Sequence, residues 1–178
     1  MKISNKAYIV AKIPAPVGDQ IYRLREAYGY TLNLPVEITL AGSSGVGAIP
    51  IGTDLSLIRA EIDLISNQIL PFEVTFNGWR TFPNTSIAYL SPSDRTIFDQ
   101  IHERLIKSSI PFSSSDFEYT PHCTISTNLI TTPDNITIPR EIFIIDSISV
   151  FDLKEETLEC RLLYETKLKA EPVAPHLR

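Results

Sequence analysis

The segment VEITLAG, residues 36–42, pairs a side chain that can carry a proton with a hydroxyl two positions later, Glu37 with Thr39. Side chains on a strand alternate between two faces, so Glu37 and Thr39 must share one face of the predicted strand. Ile38 and Leu40 then form the opposite face. The segment therefore predicts a strand with an apolar side for a core and a polar side that can carry chemistry.

A second segment, PHCTIST at residues 121–127, repeats this pattern with His122 and Thr124. Cys123 and Ile125 occupy the positions that would face a core. If the polar faces of the two strands meet across a groove, they supply two proton carriers and two hydroxyls. Attack on a phosphodiester needs these groups and requires no metal. The alternative is a solvated strand face, because alternating polar residues are common on exposed strands.

The rest of the chain alternates strands and helices. Apolar runs predict strands at residues 7–13, 34–41, 72–76, 86–90, 119–127, 141–151 and 158–168. Helical spacing predicts helices over residues 17–28, 55–69 and 94–107, with Thr53 or Asp54 capping the second helix and the capping box SPSD, residues 91–94, opening the third. Antiparallel hairpins with helices packed on one side predict an α+β fold.

Composition describes one globular domain with few special features. The chain has 178 residues, of which 43% are apolar, and it carries 16 basic against 21 acidic side chains. This acidic balance argues against duplex DNA as a partner. Cys123 and Cys160 form no CxxC pair, so we expect reduced thiols and no zinc site. No apolar run is long enough to span a membrane, so a cytoplasmic location and no membrane partner are expected.

The order of these segments resembles the 2H phosphoesterase superfamily, which contains 2′-5′ RNA ligase-like proteins and 2′,3′-cyclic nucleotide phosphodiesterases. PHCTIS resembles the second His-x-Thr motif of that family, and EITLAG stands where the first is expected. Further segments that resemble the family are YIVAKIP, FNGWRTFPNTSIAYL with IHERL, IIDSISVFDL and CRLLYETKL. The resemblance implies one domain over residues 1–170, with two pseudo-symmetric lobes of antiparallel sheet, helices on the outer faces and a central groove. Residues 171–178 would form a loose tail.

The same resemblance implies roles for the motif residues. His122 would be a general acid or base, Thr39 and Thr124 would bind phosphate oxygens, and no cofactor or metal would be needed. Glu37 departs from the family, which has a histidine at this position. A glutamate can replace a base, but its ordinary pKa of about 4.3 suits an acid poorly. An ionised carboxylate about 4 Å from a phosphate charge also costs on the order of 4 kcal/mol at an effective dielectric near 20.

Three arrangements would resolve this conflict at Glu37. Burial could keep the carboxyl protonated. A nearby cation could offset it, and Lys12 and Arg80 are candidates because they lie beside predicted strands. The ligand could instead present a hydroxyl or a base amine at this position.

Three functions therefore stay open. The first is a metal-independent phosphodiesterase acting on 2′,3′-cyclic phosphate or related nucleotide or RNA-end phosphodiesters, with His122 and Glu37 as catalytic residues. The second is a catalytically impaired protein that binds nucleotides or RNA ends in the same groove. The third is an interaction protein that keeps only the fold. In each case a monomer is expected.

Other segments carry weaker signals. The loop AGSSGVG, residues 41–47, matches no phosphate-binding fingerprint and is expected at the rim of the groove. His102 is expected to be a packing or surface residue, and His176 lies in the tail. Four aromatic residues could stack on a base or simply pack in the fold: Tyr8, Trp79, Tyr89 and Tyr119.

Overall fold

Nine strands and three helices alternate along the part of the chain that the computed structural model describes, which is residues 1–30, 34–42, 44–129, 137–154, 157 and 159–169. In chain order they are β1 (Lys6–Lys12), α1 (Val17–Ala27), β2 (Glu37–Ala41), α2 (Leu55–Ser66), β3 (Phe72–Val74), β4 (Phe76–Thr81), β5 (Ala88–Pro92), α3 (Thr96–Lys107), β6 (Cys123–Ser126), β7 (Phe143–Ile145), β8 (Ser147–Lys154) and β9 (Glu159–Lys167).

The strands form two main antiparallel sheets. One sheet has the order β2-β1-β8-β9, and the other has the order β4-β5-β6. Strands β3 and β7 pair as a separate ribbon. Each of the two main sheets contains one of the two motif strands, β2 in the first and β6 in the second. The α+β fold with antiparallel sheets is confirmed.

The two motif strands lie side by side where the sheets meet. The backbone N–H of Thr39 in β2 donates to the carbonyl of His122, which precedes β6, at 3.3 Å. Helix α1 contacts β6, α3 contacts β2, and α2 packs on β8 and β9. The helix near each motif strand in sequence therefore packs against the motif strand of the other half, as expected for two pseudo-symmetric lobes.

The predicted apolar faces of both motif strands belong to one core. Ile38 and Leu40 from β2, and Cys123 and Ile125 from β6, are all fully buried. Burying a side chain of this kind stabilises a fold by roughly 1.5–3 kcal/mol. A register slip of one residue would exchange these side chains with the polar ones, so the core holds the polar faces toward the groove.

The segment FEVTF, predicted as one strand, is divided between two sheets. Phe72–Val74 pairs with β7, whereas Phe76 begins the strand that pairs with β5. At the break, the carbonyl of Thr75 accepts from the N–H of Ser93 at 2.8 Å. The predicted alternation still holds, because Val74 and Phe76 are buried and Glu73 is exposed. The region 141–151 is divided in the same way between β7 and β8.

The third helix begins later than predicted, and its capping box is wrong. Ser91 and Pro92 continue strand β5, where they pair with β4, so Pro92 is not the first helical residue. The carboxylate of Asp94 instead accepts from the N–H of Thr96 at 2.8 Å. For α2 the choice between two caps is resolved, because Asp54 accepts from the N–H of Ser56 at 2.9 Å.

Helix α3 buries the predicted face, which is wider than the three predicted positions alone. Ile101 and Leu105 are fully buried as expected, but Ile97 is only half-buried. Phe98 and His102 complete the buried face. The predicted tail, residues 171–178 with His176, lies outside the described residues. None of the helices within the described ranges is long and apolar enough to cross a membrane.

Candidate active site

The two motif strands bring the four predicted site residues to one groove. A cavity of about 460 Å³ is lined by Glu37 and Thr39 from β2, by His122 just before β6 and by Thr124 within it. The polar faces of the two strands therefore meet in one groove, which both the phosphodiesterase hypothesis and the nucleotide-binding hypothesis require. Within the described part of the chain, no three His, Cys, Asp or Glu side chains cluster as metal ligands would.

The carboxyl group of Glu37 is buried and titrates far above its ordinary range. It is 7% exposed, and the single Thr39 O–H is shared between its two oxygens, at 3.2 and 3.3 Å. Burial raises the pKa of Glu37 to about 7, while the charge of Arg25 and the bond from Thr39 oppose the rise. At neutral pH the group is therefore divided between its protonated and ionised forms. Burial that favours the protonated carboxyl is one of the three arrangements considered for a glutamate at this position.

His122 is held as a neutral imidazole with one nitrogen free to accept a proton. Its Nδ1 lies 2.6 Å from the carbonyl oxygen of Thr120. Because a carbonyl can only accept, Nδ1 carries the hydrogen and Nε2 keeps its lone pair in the neutral ring. Burial lowers the pKa of His122, with the bond to Thr120 opposing the shift. Phe82 and Tyr89 contact the ring edge to face, with centroids at 4.9 and 5.6 Å.

Arg25 is a site residue that the sequence reading missed. It lies in the last turn of α1 and is only 3% exposed. Its guanidinium donates to the carbonyl oxygens of Thr124, Leu34 and Pro35 at 2.8 to 3.0 Å. One side chain therefore ties the backbone that carries Thr124 to the segment that leads into Glu37.

The position of Arg25 was detectable from its spacing. It stands four residues after Ile21, inside the apolar stripe that identified α1, so a basic residue there should be buried. Lys12 and Arg80, the cations expected to offset Glu37, are not the ones that act on it. Lys12 pairs with Glu165, and Arg80 is exposed on β4.

The walls of the groove are apolar and largely aromatic. Tyr8, one of the four aromatic residues for which stacking on a base and packing in the fold were both open, lines the groove. The other apolar lining residues were not predicted, since nothing in their local pattern separates them from core residues. They are Val10, Tyr30, Leu34, Pro35, Phe82, Pro83, Ile87, Phe117, Phe151 and Leu153.

The other three aromatic candidates pack beside the groove without lining it. Trp79 contacts Tyr28 at 5.1 Å between ring centroids, and Tyr89 stacks on Phe82 at 4.2 Å. Through Phe82, Tyr89 supports a wall of the groove instead of touching a ligand directly. These side chains therefore pack in the fold and do not line the groove. The third of them, Tyr119, packs on the buried histidine of α3.

His102 is a packing residue that supports β2 from behind. Its ring stacks on Tyr119 at 3.7 Å, and its Nδ1 lies 2.9 Å from the carbonyl of Leu40. The N–H of Val46 donates to Nε2 at 3.4 Å. With Nδ1 donating and Nε2 accepting, the ring is neutral, and burial lowers the pKa of His102.

The glycine-rich loop reaches the groove as expected. Ser44 lines the groove and accepts from the N–H of Thr120 at 3.2 Å, whereas Ser43 lies outside the described residues. Gly45 adopts φ +67° and packs so tightly on His102 that an added Cβ would lie 2.3 Å from the ring. The loop is therefore anchored to both the α3 histidine and the segment that precedes His122.

Both cysteines are free thiols. Cys123 is buried in the core, and Cys160 is half-buried at the groove. Burial raises the pKa of Cys123 to about 12 and that of Cys160 to about 11. Neither side chain is a thiolate at neutral pH, so neither is a reactive nucleophile.

Known proteins share this architecture. A model of the 2′-5′ RNA ligase superfamily matches residues 13–140. The structure is similar to TT0787 of Thermus thermophilus, with a TM-score of 0.69 and 14% identity over 94% of this chain and 100% of that one. It is also similar to E. coli LigT, solved with 3′-AMP, with a TM-score of 0.60 and 13% identity over 92% of this chain and 98% of LigT.

A third similar structure is described as a phosphoesterase, with a TM-score of 0.61 and 14% identity over 93% of this chain and 99% of that one. None of the curated proteins matches the sequence. At identities this low, the structural likenesses establish the fold alone. The family match covers most of the chain, from the end of β1 to the segment before β7.

Proposed function

Because the chain belongs to the 2′-5′ RNA ligase superfamily, we propose that it is a metal-independent phosphodiesterase. Its substrates would be 2′,3′-cyclic phosphates or related phosphodiesters at nucleotide or RNA ends. The observation that carries this proposal is the single groove lined by Glu37, Thr39, His122 and Thr124. A cytoplasmic location and a monomeric state are further expectations that rest on the sequence.

His122 serves as the general base in this proposal. Its neutral ring presents Nε2 as an acceptor, while Nδ1 is committed to the Thr120 carbonyl. Nε2 takes a proton from water as the water oxygen attacks phosphorus. One phosphorus–oxygen bond to the ribose then breaks, and the leaving oxygen must receive a proton.

Glu37 supplies that proton in its protonated form. A carboxyl group with the ordinary pKa of about 4.5 would cost about 3 kcal/mol to protonate at pH 7. With a pKa of about 7, Glu37 needs almost no free energy for this step. A protonated carboxyl also avoids the repulsion between an ionised Glu37 and the phosphate. Burial therefore removes both objections to a glutamate at the position where the family has a histidine.

The two threonines would bind the phosphate oxygens. Thr124 is half-buried in the groove, where its hydroxyl can donate to an anionic oxygen. The Thr39 hydroxyl donates to Glu37 in this structure, so it must rotate toward the ligand during turnover. Rotation of a hydroxyl is inexpensive, and a protonated Glu37 holds the Thr39 hydroxyl less strongly than a carboxylate does.

The test is product analysis with 2′,3′-cyclic AMP in the presence of EDTA. The parent protein should form a nucleoside monophosphate, and His122→Asn should lower kcat by roughly 100- to 10,000-fold. Unfolding in urea serves as the control for correct folding. Full turnover by His122→Asn would remove His122 from the mechanism, and loss of the parent's turnover in EDTA would contradict a metal-independent reaction.

One observation favours a second function, binding without turnover. The Thr39 hydroxyl is already engaged by Glu37, which leaves fewer free donors for a phosphate than a histidine would. This alternative predicts affinity for 3′-AMP and no product from a cyclic nucleotide. Glu37→His separates the two functions: an impaired site should gain turnover with this variant, whereas a site adapted to a glutamate acid should lose it.

A further inference from the structure

Lysine and arginine, the cations that a polyanion would need, are missing from the described residues that line the groove. Glu37 is the one charged side chain among those residues. The internal segments that the structure does not describe add no such cation, because they contain no lysine or arginine. These segments are residues 31–33, 43, 130–136, 155–156 and 158. Arg178, at the end of the chain, is the one basic residue outside the described ranges.

Two basic residues on the strands beside the groove are paired with carboxylates, whereas Arg80 on β4 is exposed and is not among the residues that line the groove. Lys12 on β1 pairs with Glu165, and Arg161 on β9 donates to Asp152 at 2.8 Å. Arg25 is only 3% exposed and is not among the residues that line the groove. Its Nε and Nη1 donate to backbone carbonyls, its buried Nη2 has no hydrogen-bond partner, and its charge acts on Glu37.

The shape and lining of the groove suit one small ligand with an apolar body. Its volume of about 460 Å³ lies in the range that encloses one drug-sized molecule. Tyr8, Phe151 and Leu153 form one wall, and Phe82 and Ile87 from the β4–β5 hairpin form another. Such walls favour the flat face of a base, and a phosphate buried against them would meet no lysine or arginine among the described lining residues.

We infer that the groove selects a nucleotide with a single phosphodiester group and discriminates against an RNA chain that continues with further phosphates. This inference rests on the proposed function and narrows its substrate class. The polar end of the groove accommodates one anionic phosphate through Thr39, Thr124 and His122. The apolar walls accommodate the base, and among the described residues they present no cation to a second phosphate.

The experiment compares substrates that share one reacting end. Turnover and binding are measured for 2′,3′-cyclic AMP and for di- and tetranucleotides that end in the same 2′,3′-cyclic phosphate. The mononucleotide should have a kcat/KM at least about tenfold above that of the tetranucleotide. Its kcat/KM should change little between 50 and 300 mM salt, since binding that releases no counterions is nearly independent of salt.

A variant with an added cation tests the inference in the opposite direction, by a gain of turnover with the longer substrate. Thr127 lines the groove next to the end of β6 and is exposed, so Thr127→Lys adds a charge where a second phosphate could reach. It should raise kcat/KM for the tetranucleotide selectively and introduce a salt dependence with a log–log slope of about 0.7 per phosphate contacted. Thr127→Gln is the matched control of similar length without charge, and it should do neither.

The outcomes separate this inference from the proposed function. If the parent neither binds nor turns over any of the three substrates, the proposed function fails. If it turns over all three and the tetranucleotide is preferred, the function stands and the single-phosphate inference is overturned. A strong salt dependence of the mononucleotide reaction in the parent would also overturn it, because a cation would then contribute to the groove.

Discussion

Replacing Glu37 by glutamine should make the protein more stable at alkaline pH. The change keeps the size of the side chain and leaves an oxygen that can accept from the Thr39 hydroxyl, but it removes the ionisable group. In the fold the pKa of Glu37 rises from 4.5 to about 7. At 1.36 kcal/mol per unit, ionising this buried carboxyl costs the folded state about 3 kcal/mol more than the unfolded chain.

The sign of the change in unfolding free energy follows from the two pKa values of Glu37. The folded protein binds the proton more tightly than the unfolded chain does. The stabilisation from protonated Glu37 is therefore complete below pH 4.5 and is lost as pH rises through about 7. Between pH 5 and pH 8 the parent should therefore lose about 2.5 kcal/mol of unfolding free energy relative to Glu37→Gln.

The assay is urea unfolding of both proteins at pH 5, 6, 7 and 8. Glu73→Gln, which removes an exposed carboxylate on β3, is the matched control and should change the pH profile far less. If the difference between the parent and Glu37→Gln stays within about 0.5 kcal/mol over this range, Glu37 ionises as it would in water. In that case its role as the proton donor is refuted.

Three further perturbations test the surroundings of the site. Arg25→Met should lower the free energy of unfolding by roughly 2–5 kcal/mol, because it leaves the partly buried carbonyls of Thr124, Leu34 and Pro35 without their donor. A change below about 1 kcal/mol in urea unfolding would show that Arg25 does not hold these two segments together. The profile of kcat against pH should be bell-shaped: it falls on the acid side as His122 is protonated, at a pH below the ordinary histidine range because burial lowers the pKa of His122, and on the alkaline side above about pH 7 as Glu37 ionises. A rate that still rises from pH 7 to 9 would exclude Glu37 as the acid. Gly45→Ala should destabilise the protein by roughly 1–3 kcal/mol through its positive φ and the clash with His102, as measured by thermal unfolding, and an unchanged Tm would show that the loop relaxes freely.

Local patterns were sufficient for the elements that carry the site. The alternation of Glu37 with Ile38, and of His122 with Cys123, assigns each side chain to a face because a strand has a period of two. One face is apolar in each case, so burial of that face leaves little choice of register. This is why both the strands and the side on which their polar residues lie could be predicted before the fold was known.

Elements whose boundaries depend on distant partners were predicted less well. The break at Thr75 occurs because the two halves of FEVTF pair with strands from different sheets, β7 and β5. Ser91 and Pro92 look like a helix start in sequence, yet pairing with β4 keeps them in a strand. In both cases long-range hydrogen bonds override a local signal.

The electrostatics of the site also depend on tertiary contacts. A glutamate next to a threonine in a strand has no fixed pKa, because burial and neighbouring charges determine it. The burial of Glu37 comes from the packing of two sheets, and the cation that acts on it comes from a helix twelve residues earlier in the chain, through Arg25. The local sequence around Glu37 contains neither of these causes.

The sequence by itself determined the α+β architecture, the two motif strands and the four polar residues that they present, since periodicity and local propensity act over a few residues. Only the tertiary structure decided that those residues share one groove, that Glu37 titrates near neutrality and that the described residues lining the groove include no lysine or arginine. These properties arise where segments far apart in the chain come together. Burial and Coulomb interactions depend on distances in space, which a one-dimensional pattern does not specify.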